Sequence, residues 1–153
     1  MYEIIRALEN DDIEVFYQPQ VKLRNRKLVC VEALCRLQHP SLGLISPDKF
    51  IDKSEETDLI FHLTLNVIDK ASTDWVAWYN QGIDITLSIY ISPYVLKFSE
   101  FTDLFLTKVA ELNITKNKIF LEVTESIIVD NYEVELEALS RLAIKGVTHG
   151  NTK

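Results

Sequence analysis

Between Val31 and Leu37 an apolar strand pattern carries two opposite charges. Strand alternation puts Val31, Ala33, Cys35 and Leu37 on one face and Glu32, Leu34 and Arg36 on the other. A carboxylate and a guanidinium sharing one face of a core strand imply that the face lines something polar. The plain alternative is an edge strand with one solvated face. Two more segments set polar residues near strand ends: Gln18 within Ile13–Val21, and Glu122 within Ile119–Thr124, with Glu125 just beyond. Carboxylates converging from different strands are what a hard divalent cation needs. An arginine on the same face can hold a phosphate in bidentate fashion. The chemistry in view is a metal–phosphate site, and the competing readings are solvated carboxylates and helix caps.

The elements that must position these residues are legible in order. Met1 to Asp12 reads as a short amphipathic helix. Ile13 to Val21 is a strand whose Pro19 assigns it to an edge, a bulge or a barrel rim. The polar turn Lys22–Lys27 leads into the strand Leu28–Leu37, and strands joined this closely must be antiparallel. Ser46-Pro47 is an N-cap candidate followed by a Pro at the first helical position. A long helix is expected from about Asp58 to Tyr79, because Ile60, Leu63, Val67, Ala71, Trp75 and Trp78 recur at helical spacing. The Trp pair reads as core packing. Gly82 ends that segment, Ile83–Ile91 is a strand, and Ser92-Pro93 opens another helical region with Phe101, Leu104, Phe105, Val109 and Leu112 as its buried stripe. After the strand Ile119–Thr124, Asp130-Asn131-Tyr132-Glu133 resembles a capping box, and the helix behind it ends at Gly146. Strands alternating with helices imply parallel pairing in a right-handed α/β arrangement, at whose carboxyl ends active sites lie. Gly146-Val147 suggests the start of another strand, but six polar or small residues follow.

Composition bounds the function classes. The chain has 153 residues, enough for one domain, with 47% hydrophobic and 25% charged residues, as in a soluble globular protein. No apolar run approaches a membrane span and no signal peptide is visible, so neither membrane insertion nor export is expected. The net charge of −7 and the short basic cluster Lys22, Arg24, Arg26, Lys27 argue against DNA binding. Cys30 and Cys35 fall on opposite faces of one strand and cannot pair with each other. Cytoplasm is the expected compartment.

An ordered set of segments resembles the EAL family of cyclic di-GMP phosphodiesterase domains. They are Phe16-Tyr17-Gln18-Pro19, Val31-Glu32-Ala33-Leu34-Cys35-Arg36, Gln38-His39-Pro40 through Gly43 to Ile51, Glu55-Glu56-Thr57, Leu87-Ser88-Ile89-Tyr90-Ile91-Ser92, and Leu121-Glu122-Val123-Thr124-Glu125-Ser126. They run over nearly the whole chain. The resemblance implies a TIM-like barrel whose first strand is antiparallel, and hydrolysis of one phosphodiester of cyclic di-GMP with Mg²⁺ or Mn²⁺. It matches Glu32 and Glu122 to metal ligands and Arg36 to the residue that contacts a ligand phosphate. Gln18 and Leu34 fall in segments lining the nucleotide site. Such metals position the phosphodiester and lower the pKa of an attacking water.

Two departures set the expectation for this chain. The family pattern Ser-Val-Asn-Ile-Ser supplies an Asn metal ligand where this chain has Tyr90, and a neutral phenol is a poor Mg²⁺ ligand. The family's Asp-Asp-Phe-Gly-Thr-Gly strand, and later strands with a Lys and further acidic and amide residues, have no counterpart here. The expected fold is therefore an incomplete TIM-like α/β barrel in a single domain over residues 1–153, roughly the first half of a unit of about 250 residues. The expected function is a protein without catalysis, acting in cyclic di-GMP-related regulation through a regulatory partner or as a homodimer. No cofactor is expected, and cyclic di-GMP binding is weak or absent. The alternatives are residual phosphodiesterase activity and cyclic di-GMP sensing without hydrolysis. Ile119–Thr124 is expected to be an open sheet edge that self-association covers, or along which the tail Val147–Lys153 folds back.

Overall fold

The computed structural model describes residues 2–124 and 132–152. Glu125, Ser126 and the Asp130-Asn131 part of the capping-box motif lie outside the described residues. The chain runs α1 (Tyr2–Glu9), β1 (Ile13–Val21), β2 (Leu28–His39), β3 (Gly43–Ile45), α2 (Ile51–Glu55), α3 (Leu59–Asn80), β4 (Thr86–Ile91), α4 (Phe101–Glu111), β5 (Ile119–Thr124), α5 (Tyr132–Ile144) and β6 (Thr148–Thr152). The strands form one sheet in the order β1-β2-β4-β5-β6, with β3 beside β2. β1 and β2 are antiparallel, and every later neighbour on the main path is parallel. This is a partial TIM-like barrel with an antiparallel first strand.

The long helix starts within one residue of its sequence expectation, with Asp58 as N-cap, and the chain turns at Gly82 with φ +84°. Its apolar stripe of Ile60, Leu63, Val67, Ile68, Ala71 and Trp75 is buried against the convex face of the sheet, where Val31, Ala33, Leu87, Ile89 and Ile91 point outward. Trp75 is 3% exposed and its Nε1–H donates to the Ile85 carbonyl at 2.8 Å, while Trp78 meets Tyr17 edge-on. The Trp pair is core packing. Cys30 and Cys35 are both free.

Pro19 lies in an edge strand, next to a register shift at Gln20/Val21. β1 is fastened to α3 by Tyr17, whose hydroxyl donates to Asp74 at 2.6 Å. Burial and the adjacent carboxylate both push that phenol far up, so it stays protonated as a donor. Tyr17→Phe is expected to cost about 1 kcal/mol, read as a lower urea midpoint at unchanged slope.

Several boundaries differ from the sequence reading. β4 begins at Thr86 rather than Ile83, and β2 runs on to His39. β3 and α2 went unforeseen, because three and five residues are too few to establish a period. Ser46 bonds the Asp48 carboxylate instead of capping a backbone N–H, whereas Ser92 does accept from the Tyr94 N–H at 3.2 Å.

At the end of the sheet the expected open β5 edge is corrected, and the alternative expectation, the tail folded back along that edge, is what the structure shows. β5 is not an open edge: Thr148–Thr152 lies beside it as a parallel strand, Phe120 to Thr148 through Thr124 to Thr152. The segment is polar, and its backbone rather than its side chains makes the pairing. Gly150 permits a close approach, since a Cβ there would come within 2.7 Å of the Phe120 ring.

Within α5, Glu135 is 5% exposed and its Oε1 has no hydrogen-bond partner among the described residues. Burial pushes this carboxyl up, and the charge of Lys97 offsets that only in part. The folded state therefore keeps the proton to a higher pH than the unfolded chain, where the carboxyl titrates near 4.5. Stability falls as pH rises through that window. Glu135→Gln is expected to raise the thermal midpoint at neutral pH and to leave it unchanged below about pH 4, where wild-type Glu135 is protonated in both states.

Candidate functional site

Cross-strand register puts the sequence-selected residues on the concave face of the sheet. One row runs Gln18, Glu32, Ser88, Phe120, Thr148 across β1, β2, β4, β5 and β6. The next row towards the strand ends carries Tyr90, Glu122 and Gly150 on β4, β5 and β6. Glu32 and Glu122 thus sit two strands apart, with β4 between them and Ser88 and Tyr90 as its successive concave-face residues. Ser88 is buried and its hydroxyl donates to Glu122 Oε1. Burial pushes the Glu32 carboxyl up, and the negative charge of Glu122 adds to the shift. Cys30, one pleat before Glu32, is raised by burial and by the same two carboxylates, so its thiol stays protonated.

The strand pairing explains the recess at this site. β2 pairs with β4 over Cys30–Ala33 and with β3 over Leu37–His39. In the interval Leu34–Arg36 it parts from β4 before β3 takes over. A cavity of about 200 Å³ opens there, with Leu34, Cys35, Pro47 and Ile51 among its walls and Glu32, Tyr90 and Ser92 also lining it. Burial pushes Cys35 in this wall up to about 12. Arg36 caps the interval: its Nη1 donates to the Cys35 carbonyl at 2.8 Å, and its guanidinium lies 6.0 Å from the Phe16 ring centre. Ser92, at the end of β4, donates to Glu55 Oε1 at 2.7 Å and ties α2 to the site.

Gln18, Glu32, Leu34, Arg36, Tyr90 and Glu122 therefore all share the concave face. Sequence reasoning missed Ser88 and the Ser92–Glu55 link. Ser88 could have been found, because it alternates with Tyr90 in Leu87-Ser88-Ile89-Tyr90-Ile91. The Glu55 contact spans 37 residues and has no local signature.

A divalent ion does not fit the donors as they stand. Among the described residues no group of three or more His, Cys, Asp or Glu is placed to hold a metal. One Glu122 oxygen is already bonded by Ser88, and Tyr90 follows on the strand between the two carboxylates.

The chain belongs to the EAL domain family, whose profile matches residues 2–148. It is similar to the bifunctional diguanylate cyclase/cyclic di-GMP phosphodiesterase MucR of Pseudomonas aeruginosa, at 29% identity over 96% of this chain and 22% of that protein. It is also similar to the cyclic di-GMP phosphodiesterase PdeR of Escherichia coli, at 33% identity over 92% of this chain and 21% of that protein. Among solved structures, the MucR phosphodiesterase in complex with cyclic di-GMP superposes with a TM-score of 0.89 and 29% identity, covering 97% of this chain and 60% of that one. The chain thus spans about a fifth of the length of these curated relatives and a little over half of the MucR structure. Among the described residues, no helix is long and apolar enough to cross a membrane.

Proposed function

We propose that this chain is a member of the EAL family that does not hydrolyse cyclic di-GMP and acts in cyclic di-GMP-related regulation by binding protein, either a second copy or a regulatory partner. The observation that carries this reading is Tyr90 in register with Glu122. A phenol stands where the resemblance calls for an amide ligand, next to a carboxylate that Ser88 already engages. Two carboxylates on separate strands leave most of an octahedral oxygen set to water, which makes a weak site. Without the ion nothing polarises the phosphodiester or activates water. Cytoplasm remains the expected compartment, and no cofactor is required for binding protein.

The cavity beside Glu32 and Leu34 favours one second reading, cyclic di-GMP sensing without hydrolysis. Arg36 would meet a phosphate there, while Leu34 and the apolar wall would take part of a base. Light scattering combined with a cyclic di-GMP titration, with and without Mn²⁺, separates the readings. The expected result is self-association or partner capture with no saturable nucleotide binding. Saturable binding that Arg36→Ala removes would move the assignment to the sensor.

A further inference from the structure

The loops that lead into the strands share one end of the sheet. Register sets Cys30 beside Thr86, Leu87 beside Ile119 and Phe120 beside Thr148. The β1–β2 turn and the loops ahead of β4, β5 and β6 therefore form a single face, at the opposite end of the strands from Arg36 and Ser92. The turn is Lys22-Leu23-Arg24-Asn25-Arg26-Lys27, and all six residues are exposed. Lys116 and Lys118 ahead of β5 and Lys145 ahead of β6 join its four cations. A Cβ at Gly146 would lie 3.9 Å from the Lys116 side chain, so the last two loops are adjacent. Against these seven cations stand Asp84, which pairs with Lys118 at 2.5 Å, and Glu111 at the end of α4. The face thus gathers seven of the chain's 16 Lys and Arg but two of its 23 Asp and Glu, in a molecule of net charge −7. Sequence alone shows only the turn, and the fold adds the rest.

The turn is ordered and carries an apolar tip. The Lys22 N–H donates to the Lys27 carbonyl at 2.9 Å, the Arg26 N–H to the Lys22 carbonyl at 2.8 Å, and the Lys27 N–H to Asn25 Oδ1 at 3.1 Å. These bonds hold Leu23 out in water at 96% exposure, between Lys22 and Arg24. Ile83 in the loop ahead of β4 is 41% exposed. We propose that this face attaches the chain to an anionic lipid surface, with Leu23 entering the headgroup layer and the cations lying along it. Five of the seven cations are Lys, point charges suited to a diffuse layer of anionic headgroups rather than to a forked carboxylate or phosphate contact. The four loops contain no Phe, Tyr or Trp on which the bases of a single strand could stack. An acidic protein surface would neutralise the cations but offers Leu23 nothing apolar to enter. The carboxylates Asp48, Asp52, Glu55, Glu56 and Asp58 crowd the other end of the sheet. Leu28 and Arg36, on β2, are separated by roughly 26 Å of strand rise, about three Debye lengths at physiological salt. The acidic end therefore does not repel the membrane on which the basic end rests. The attachment is peripheral, is independent of the non-catalytic reading, and leaves the strand ends that carry the site turned away from the lipid.

Co-sedimentation of the 153-residue chain with vesicles of phosphatidylcholine containing about 30% phosphatidylserine tests this, with circular dichroism as the folding control. The expected result is binding to these vesicles that is absent from pure phosphatidylcholine and is lost as salt rises. Lys22→Gln with Arg24→Gln weakens it about 25-fold, at about fivefold per charge, and Leu23→Ser weakens it about tenfold. Lys49→Gln with Lys53→Gln changes the net charge by the same amount at the other end of the sheet and leaves binding within about twofold of wild type. No binding to the anionic vesicles overturns the proposal. So does binding that the two double variants weaken equally, since overall charge rather than this face then drives it. Retention of poly-L-glutamate by the wild-type chain and not by Lys22→Gln with Arg24→Gln, without vesicle binding, also overturns it and gives the face to an acidic protein.

Discussion

Cyclic di-GMP incubated with the purified chain and millimolar Mn²⁺ is expected to stay intact, with linear product no higher than in an enzyme-free blank after repurification. Metal-assisted hydrolysis needs an ion that clamps the phosphodiester and turns water into hydroxide near neutral pH. Here Glu32 and Glu122 stand two strands apart, Ser88 bonds one Glu122 oxygen, and Tyr90 is the next residue on the strand between them. The upward push on Glu32 has burial as its larger cause and the negative charge of Glu122 as its second. A resident cation would push the other way. Replacing Tyr90 by Asn returns one amide oxygen to the face and is expected to leave turnover at the blank, because no third acidic ligand joins the two carboxylates among the described residues. Robust Mn²⁺-dependent product from the wild-type chain, lost in Glu32→Gln, would falsify the non-catalytic assignment. Calorimetry of Mn²⁺ alone gives an independent readout, with affinity no tighter than millimolar expected for two carboxylates and water.

The sequence made the concave face legible because strand period is strict. Once Val31–Leu37 and Leu87–Ile91 are read as strands, alternation alone assigns Glu32, Leu34, Arg36, Ser88 and Tyr90 to one side. The antiparallel first hairpin was legible for a similar reason, since a short polar turn permits no crossover. The partner exchange of β2 was not. Residues 34–36 look like any other strand residues, and the cavity beside them depends on β3 and α2, too short to show a period. The end of the sheet was legible only as an alternative, the tail folded back along β5, because β6 is held by its backbone. Thr148–Thr152 has no apolar alternation to announce a strand, and its fit against β5 turns on one glycine beside the Phe120 ring. Periodicity reports what side chains bury, so a strand that buries little is invisible to it.

Trp75→Ala is expected to leave the chain largely unfolded at 25 °C. The side chain is 3% exposed, stacks on Tyr79 with ring centres 5.0 Å apart, and bonds the Ile85 carbonyl just ahead of β4. Truncating a buried Trp to Ala costs about 3–5 kcal/mol through lost transfer energy and the cavity left behind. The Ile85 carbonyl, left without its donor in a buried setting, adds about 1–3 kcal/mol. Against a domain stability of about 5–15 kcal/mol this removes much or all of the margin. Trp75→Phe keeps much of the packing and loses the hydrogen bond, so a loss of about 1–3 kcal/mol with a cooperative transition is expected. The same helix supports the site. α3 packs on both β2 and β4, so it sets how Glu32 stands to Ser88 and Tyr90. Chemical denaturation followed by circular dichroism reads both variants. A Trp75→Ala protein with a native midpoint would mean that the Ile85–Thr86 junction is held by something other than this indole.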